Sequence, residues 1–124
     1  MRVIKLYEDY NKISRKVLIS EIDDLLVDLT DLGFEWYFPN PNWHSYSEVD
    51  ICILKAGDYD TSFKLDNTMI DCISTLSDWM KEKYGISSIS YKLSLVTGKD
   101  IVTKQFAEDE FGLALYEITI ILNL

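Results

Sequence analysis

His44 is the single histidine of the chain, flanked by Trp43 and Ser45, with Glu48 and Asp50 just beyond. Imidazole titrates near neutrality, so a histidine beside carboxylates has the parts of a general acid–base pair that orients a serine such as Ser45 or Ser47. The same residues also describe a surface loop histidine stacked on Trp43 or Tyr46. No nucleophile-elbow pattern accompanies them, so no catalytic residue is assigned and the chain is read as non-enzymatic.

Three further groups carry side chains suited to chemistry or binding. Asp24, Asp28 and Asp31, with Glu21 and Asp23 beside them, fall on one face of an expected helix. Carboxylates suit hard cations, but ligands on a single helix face do not converge, and no calcium-loop pattern occurs. The alternatives are a solvated face and a contact for a basic partner. Glu108, Asp109 and Glu110 lie between Phe106 and Phe111, which suits contact with a basic, partly apolar surface, or a solvated loop whose Phe residues tuck into the core. Cys52 and Cys72 read as two free thiols, or as a disulfide or metal pair; a tetrahedral zinc site would want more Cys or His. The glycines are isolated, so no phosphate-binding loop and no cofactor are expected.

Phe34 to Tyr46, FEWYFPNPNWHSY, holds six of the sixteen aromatics, both prolines and two of the three tryptophans. Aromatics on a proline-stiffened loop make good anchors, because they bring large area at small cost in rotamer entropy. The pattern divides the segment. Phe34 to Phe38 reads as a core strand, and Trp43, His44 and Tyr46 remain as contact residues, with folding back as a lid on the sheet as the alternative.

These groups must be positioned by the surrounding elements. Residues 1–18 read as a short strand over 2–8, with a helix as the alternative. Ser20 with Asp23 resembles a capping box opening a helix. Ile22, Leu25, Leu26, Leu29 and Leu32 form its apolar face, and Gly33 stops it. Strands are expected at Phe34–Phe38 and Glu48–Lys55. A second helix is expected from a Thr68/Asp71 cap to Gly85, with Met69, Cys72, Ile73, Leu76, Trp79, Met80 and Tyr84 inward. Ile89 to Leu95 alternates as an amphipathic strand, Thr97-Gly98-Lys99 marks a hairpin turn, Asp100 to Gln105 returns, and Leu113 to Leu124 is a long terminal strand. The expectation is a single α+β domain over residues 1–124. Two helices pack on one face of an antiparallel or mixed sheet, in the ferredoxin-like β-α-β-β-α-β order with extra C-terminal strands.

The run Ile19 to Phe34, ISEIDDLLVDLTDLGF, followed by strand, helix and strand, resembles small acidic proteins of large tailed bacteriophages. The resemblance implies a phage or mobile-element accessory protein and carries no functional residues with it.

Composition narrows the function class. Of 124 residues, 48% are apolar and 27% charged, which suits a globular domain rather than a disordered one. The net charge is −9, so a phosphate-binding stripe, and with it direct nucleic-acid binding, is not expected. No run approaches the roughly 18 apolar residues of a membrane helix, and a cytoplasmic location is expected. The leading expectation is a small acidic interaction protein, such as an inhibitor, that binds a basic protein through the acidic helix and the aromatic loop. The alternatives are a homo-oligomeric assembly protein pairing through the terminal strand as an edge, and a small-ligand module with His44 at its pocket mouth.

Overall fold

The computed structural model describes residues 18–39, 48–57, 61–86, 88–106 and 110–123. The expected strand over 2–8, the contact residues Trp43, His44 and Tyr46, and Glu108 and Asp109 lie outside these segments.

The first described element is helix α1, residues 18–25, which bends at Leu26 (φ −95°, ψ 0°) into a short second helix, α2, Val27–Asp31. Beyond the bend the backbone bonds close at shorter spacing, with Leu29 N–H donating to Leu26 O and Gly33 N–H to Thr30 O. Such tightening is common in a last helical turn. Leu18 and Ile19 are already helical, so Ser20 is not the cap. Leu18, Ile22, Leu26 and Leu29 are buried, and the core contact of Leu18 draws it into the helical stripe. Gly33, at φ +86°, makes the left-handed turn that releases the chain into the sheet.

Among the described residues five strands follow: β1 Phe34–Tyr37, β2 Glu48–Lys55, β3 Ser88–Leu95, β4 Asp100–Thr103 and β5 Leu115–Asn123. They form one open antiparallel sheet in the order β1-β2-β5-β3-β4. Helix α3, Asn67–Tyr84, joins β2 to β3. Its cap is Asp66, whose carboxylate accepts from Met69 N–H at 2.9 Å. The Thr68/Asp71 box is therefore corrected: the extended backbone that an N-cap needs is at Asp66 (φ −127°, ψ 167°).

The register gives the two faces of the sheet distinct jobs. One row runs Trp36, Ile53, Ile118, Leu93, Ile101 across all five strands. This face joins Ile22, Leu26, Leu29, Met69, Ile73, Leu76 and Met80 of the helices in one core. Both expected helices therefore share one face. Each fully buried Leu or Ile there contributes about 1.5–3 kcal/mol relative to exposure. Trp79, expected inward, is 42% exposed. Its indole reaches across to α1 instead of into the core. The second face carries the row Tyr37, Cys52, Thr119, Lys92, Val102.

Two expectations are overturned by the strand order. The ferredoxin-like order places an opening strand mid-sheet, but the slot between β2 and β3 is filled by the C-terminal strand β5. β5 is therefore not an edge. Ile118, Ile120 and Leu122 are fully buried with a neighbour on each side, which removes the basis for pairing two copies through this strand. Length and apolar content suit a central strand buried on both sides as well as an edge, and here its pairing with β2 and β3 decides. No described helix is long and apolar enough to cross a membrane.

Candidate functional site

The acidic helix residues fall into two classes. Trp36 Nε1 donates to Asp23 Oδ1 at 2.8 Å, and Trp79 Nε1 donates to Glu21 Oε2 at 2.8 Å. Glu21 also pairs with Lys83. Burial alone would raise the Glu21 pKa, but its bonds with Lys83 and Trp79 outweigh that and hold it below the usual carboxylate value. These two acids tie α1 to β1 and to α3. Asp24, Asp28 and Asp31 are exposed. Of them, Asp28 faces a shallow groove of about 220 Å³ between α2 and α3, opposite Asp71 and beside Leu25, Leu32 and Cys72.

Glu110 departs from the expected exposed acidic loop: it is buried, at 8% exposure. Phe106, at the other end of the loop, stacks on Tyr91 with ring centroids 4.5 Å apart, in keeping with the expected tucking of a loop Phe into the core. The Phe106 end folds onto the sheet, since two aromatic rings gain more by mutual burial than by standing in water.

The two cysteines lie on opposite sides of the sheet and cannot bridge. Cys52 sits on the second face against Thr119, with Sγ 3.6 Å from Oγ1. Cys72 is on α3, its thiol directed at Leu25 O at 3.4 Å. Burial, with Glu117 nearby, pushes the Cys52 thiol up to about 11, so it is protonated at neutral pH. Burial also raises Cys72. Neither has the character of a nucleophile. Among the described residues no group of three or more His, Cys, Asp or Glu is placed to hold a metal ion.

The larger concavity was not visible in the sequence. It is a cleft of about 560 Å³ lined by Glu35, Trp36, Tyr37, Leu54, Tyr116 and Glu117. Its origin is a change of partners along β5. The β2–β5 ladder runs from Glu48↔Asn123 to Ile53↔Ile118. Beyond it, Leu115 exchanges both backbone bonds with Phe63 at 2.8 Å, so β2 no longer flanks β5. On the other side Ser94 faces Glu117 while Leu95 faces Leu115, which leaves Tyr116 as the extra residue of a β-bulge. A bulge re-aims side chains, and here Tyr116 and Glu117, adjacent in sequence, both line the cleft.

Leu54 in this lining is buried to 4% exposure, whereas Tyr37 and Tyr116 are 45% and 39% exposed. The Tyr37 hydroxyl lies 3.4 and 3.5 Å from the two Glu117 oxygens, a long and divided bond. Burial, then the thiol of Cys52 and the carboxylate of Glu117, push the phenol pKa up. Tyr37 is therefore a neutral donor throughout the physiological range. The only sequence signals for this site were weak. Glu35 and Tyr37 alternate against Phe34 and Trp36, and Glu117 interrupts an apolar run. Further along the second face, Asp50 stands two residues from Glu48 on β2. Burial and the Glu48 charge, opposed by Lys92, raise its carboxyl to about 6.

The cleft offers two carboxylates and two phenol rings, without a nucleophile activated by a base. No family model, curated protein or solved structure matches this chain, and the reading of the cleft rests on its geometry.

Proposed function

We propose that this protein is a non-enzymatic interaction module that docks a basic protein surface. The observation that carries the reading is the lining of two concave surfaces among the described residues. The α2–α3 groove sets Asp28 and Asp71 beside apolar Leu25 and Leu32, and the sheet cleft sets Glu35 and Glu117 beside tyrosines. Among the described residues that line them there is no Lys or Arg. With a net charge of −9, such a surface attracts a basic partner from a distance, and its apolar and aromatic groups supply contact area once it arrives. The likeness of residues 19–34 to small acidic phage proteins fits an accessory or inhibitor role of this kind.

The test separates docking from general charge attraction. Binding to a basic partner captured from cells is measured for wild type, for Asp28→Asn/Asp71→Asn with Glu35→Gln/Glu117→Gln, and for a control with four acids neutralised elsewhere, including Asp24 and Asp31. Loss of affinity in the first variant well beyond the control supports the reading. Equal loss in both reduces the binding to net charge and overturns it.

A further inference from the structure

We infer that the sheet cleft between β1 and β5 is a receptor for an arginine side chain presented by the basic partner. The inference rests on the reading above and names what the cleft holds. Charge sets the first limit on the occupant. An anion would meet Glu35 and Glu117, and an apolar group would strip water from both carboxylates with nothing in return. A cation fits, and the walls choose among cations.

The walls are phenol rings. Tyr37 and Tyr116 keep 45% and 39% of their surface open, and Tyr116 is in the lining through the bulge. A guanidinium is planar, weakly hydrated and forked. It stacks on aromatic faces and gives paired N–H bonds to a carboxylate in the same act. An ammonium is compact, strongly hydrated and gains less from flat walls. Glu117 is ready to accept, since its contact with the Tyr37 hydroxyl is long and divided between both oxygens. The apolar part of the lining, Trp36 over a floor closed by Leu54, borders the path of the methylene stem. At about 560 Å³ the cleft also has room for the residue beside the arginine.

The experiment titrates the ¹⁵N-labelled protein with three blocked pentapeptides, Gly-Gly-X-Gly-Gly, where X is arginine, lysine or citrulline. Citrulline keeps the shape of arginine and removes its charge. The expected result is amide shifts at Glu35, Tyr37, Leu54, Tyr116 and Glu117 with the arginine peptide, a several-fold weaker response to lysine and none to citrulline. Glu117→Gln and Tyr116→Ala, each checked for an unchanged melting temperature, should weaken the arginine response by about tenfold. Equal responses to arginine and citrulline, or to arginine and lysine, would overturn the inference. Shifts confined to Asp28, Asp71 and their neighbours would overturn it too while leaving the basic-partner reading standing. Absence of shifts anywhere, even with a peptide of several arginines, would remove both.

Discussion

Trp36 on β1 donates its indole N–H to Asp23 on α1 at 2.8 Å, fastening the edge strand of the sheet to the helix that delivers the chain to it. Hydrogen bonds to charged acceptors are the stronger kind, although solvent exposure of this pair discounts it. Asp23→Ala is expected to cost about 1 kcal/mol in urea unfolding. Asp24→Ala, one residue along and turned to water, should stay within about 0.5 kcal/mol. Equal losses in the two would remove Asp23 from the structural role.

Glu21 makes the matching contact to Trp79 and Lys83 on α3. Its folded pKa lies below the ordinary 4.5, so its contribution is present above that value and is lost as pH falls through the lower folded one. Glu21→Gln should therefore flatten the acid limb of the stability curve below about pH 4.5 and lower stability at neutral pH. Unfolding midpoints measured from pH 3 to 7 check both signs.

Asp50 has the opposite sign. Its folded carboxyl is raised to about 6 from 3.8, so the folded state holds the proton more tightly. The penalty for ionising this half-buried group is fully felt above pH 6 and is relieved as pH falls towards 4. Asp50→Asn is expected to stabilise the protein at pH 7.5, on the order of 1–2 kcal/mol, with little effect at pH 4. A loss of stability at pH 7.5 would show that Lys92 outweighs burial and Glu48.

Ser77 and Tyr91 share a buried hydroxyl–hydroxyl bond of 2.6 Å between α3 and β3. Either single truncation leaves one buried hydroxyl without this partner, and each is expected to cost about 1–2 kcal/mol. The double variant Ser77→Ala/Tyr91→Phe should cost less than the sum, and a double-mutant cycle by urea unfolding reads the coupling.

Cys52 keeps 4% of its surface and a thiol raised to about 11. In the native state at pH 7.5 it should alkylate far more slowly than in urea, and no intramolecular disulfide should form on oxidation, since the sheet stands between it and Cys72. Mass spectrometry of iodoacetamide-treated protein measures both outcomes.

The elements themselves were legible because their signals are local. The apolar spacing of Ile22, Leu26 and Leu29 marks a helix. Gly33 and Gly85, at φ +86° and +64°, mark where the helices end, and the alternation of Ile89, Tyr91 and Leu93 marks a half-buried strand. These depend on neighbours within a few residues, and so does the acidic face of Asp24, Asp28 and Asp31. The cleft was not legible. Glu35 and Glu117 are 82 positions apart, and their common lining depends on β2 leaving β5 and on the bulge at Tyr116.

By itself the sequence determined an acidic α+β chain with two amphipathic helical segments, five described strands and the stops between them, through propensity and hydrophobic period. Tertiary structure decided which strand is central, which acids anchor indoles and which face water, and where the sheet opens. Strand pairing is a choice among distant partners, made by the total area buried and by the backbone bonds each arrangement completes. That choice carried the C-terminal strand to mid-sheet, and the interruption of its ladder at Ile118 made the cleft.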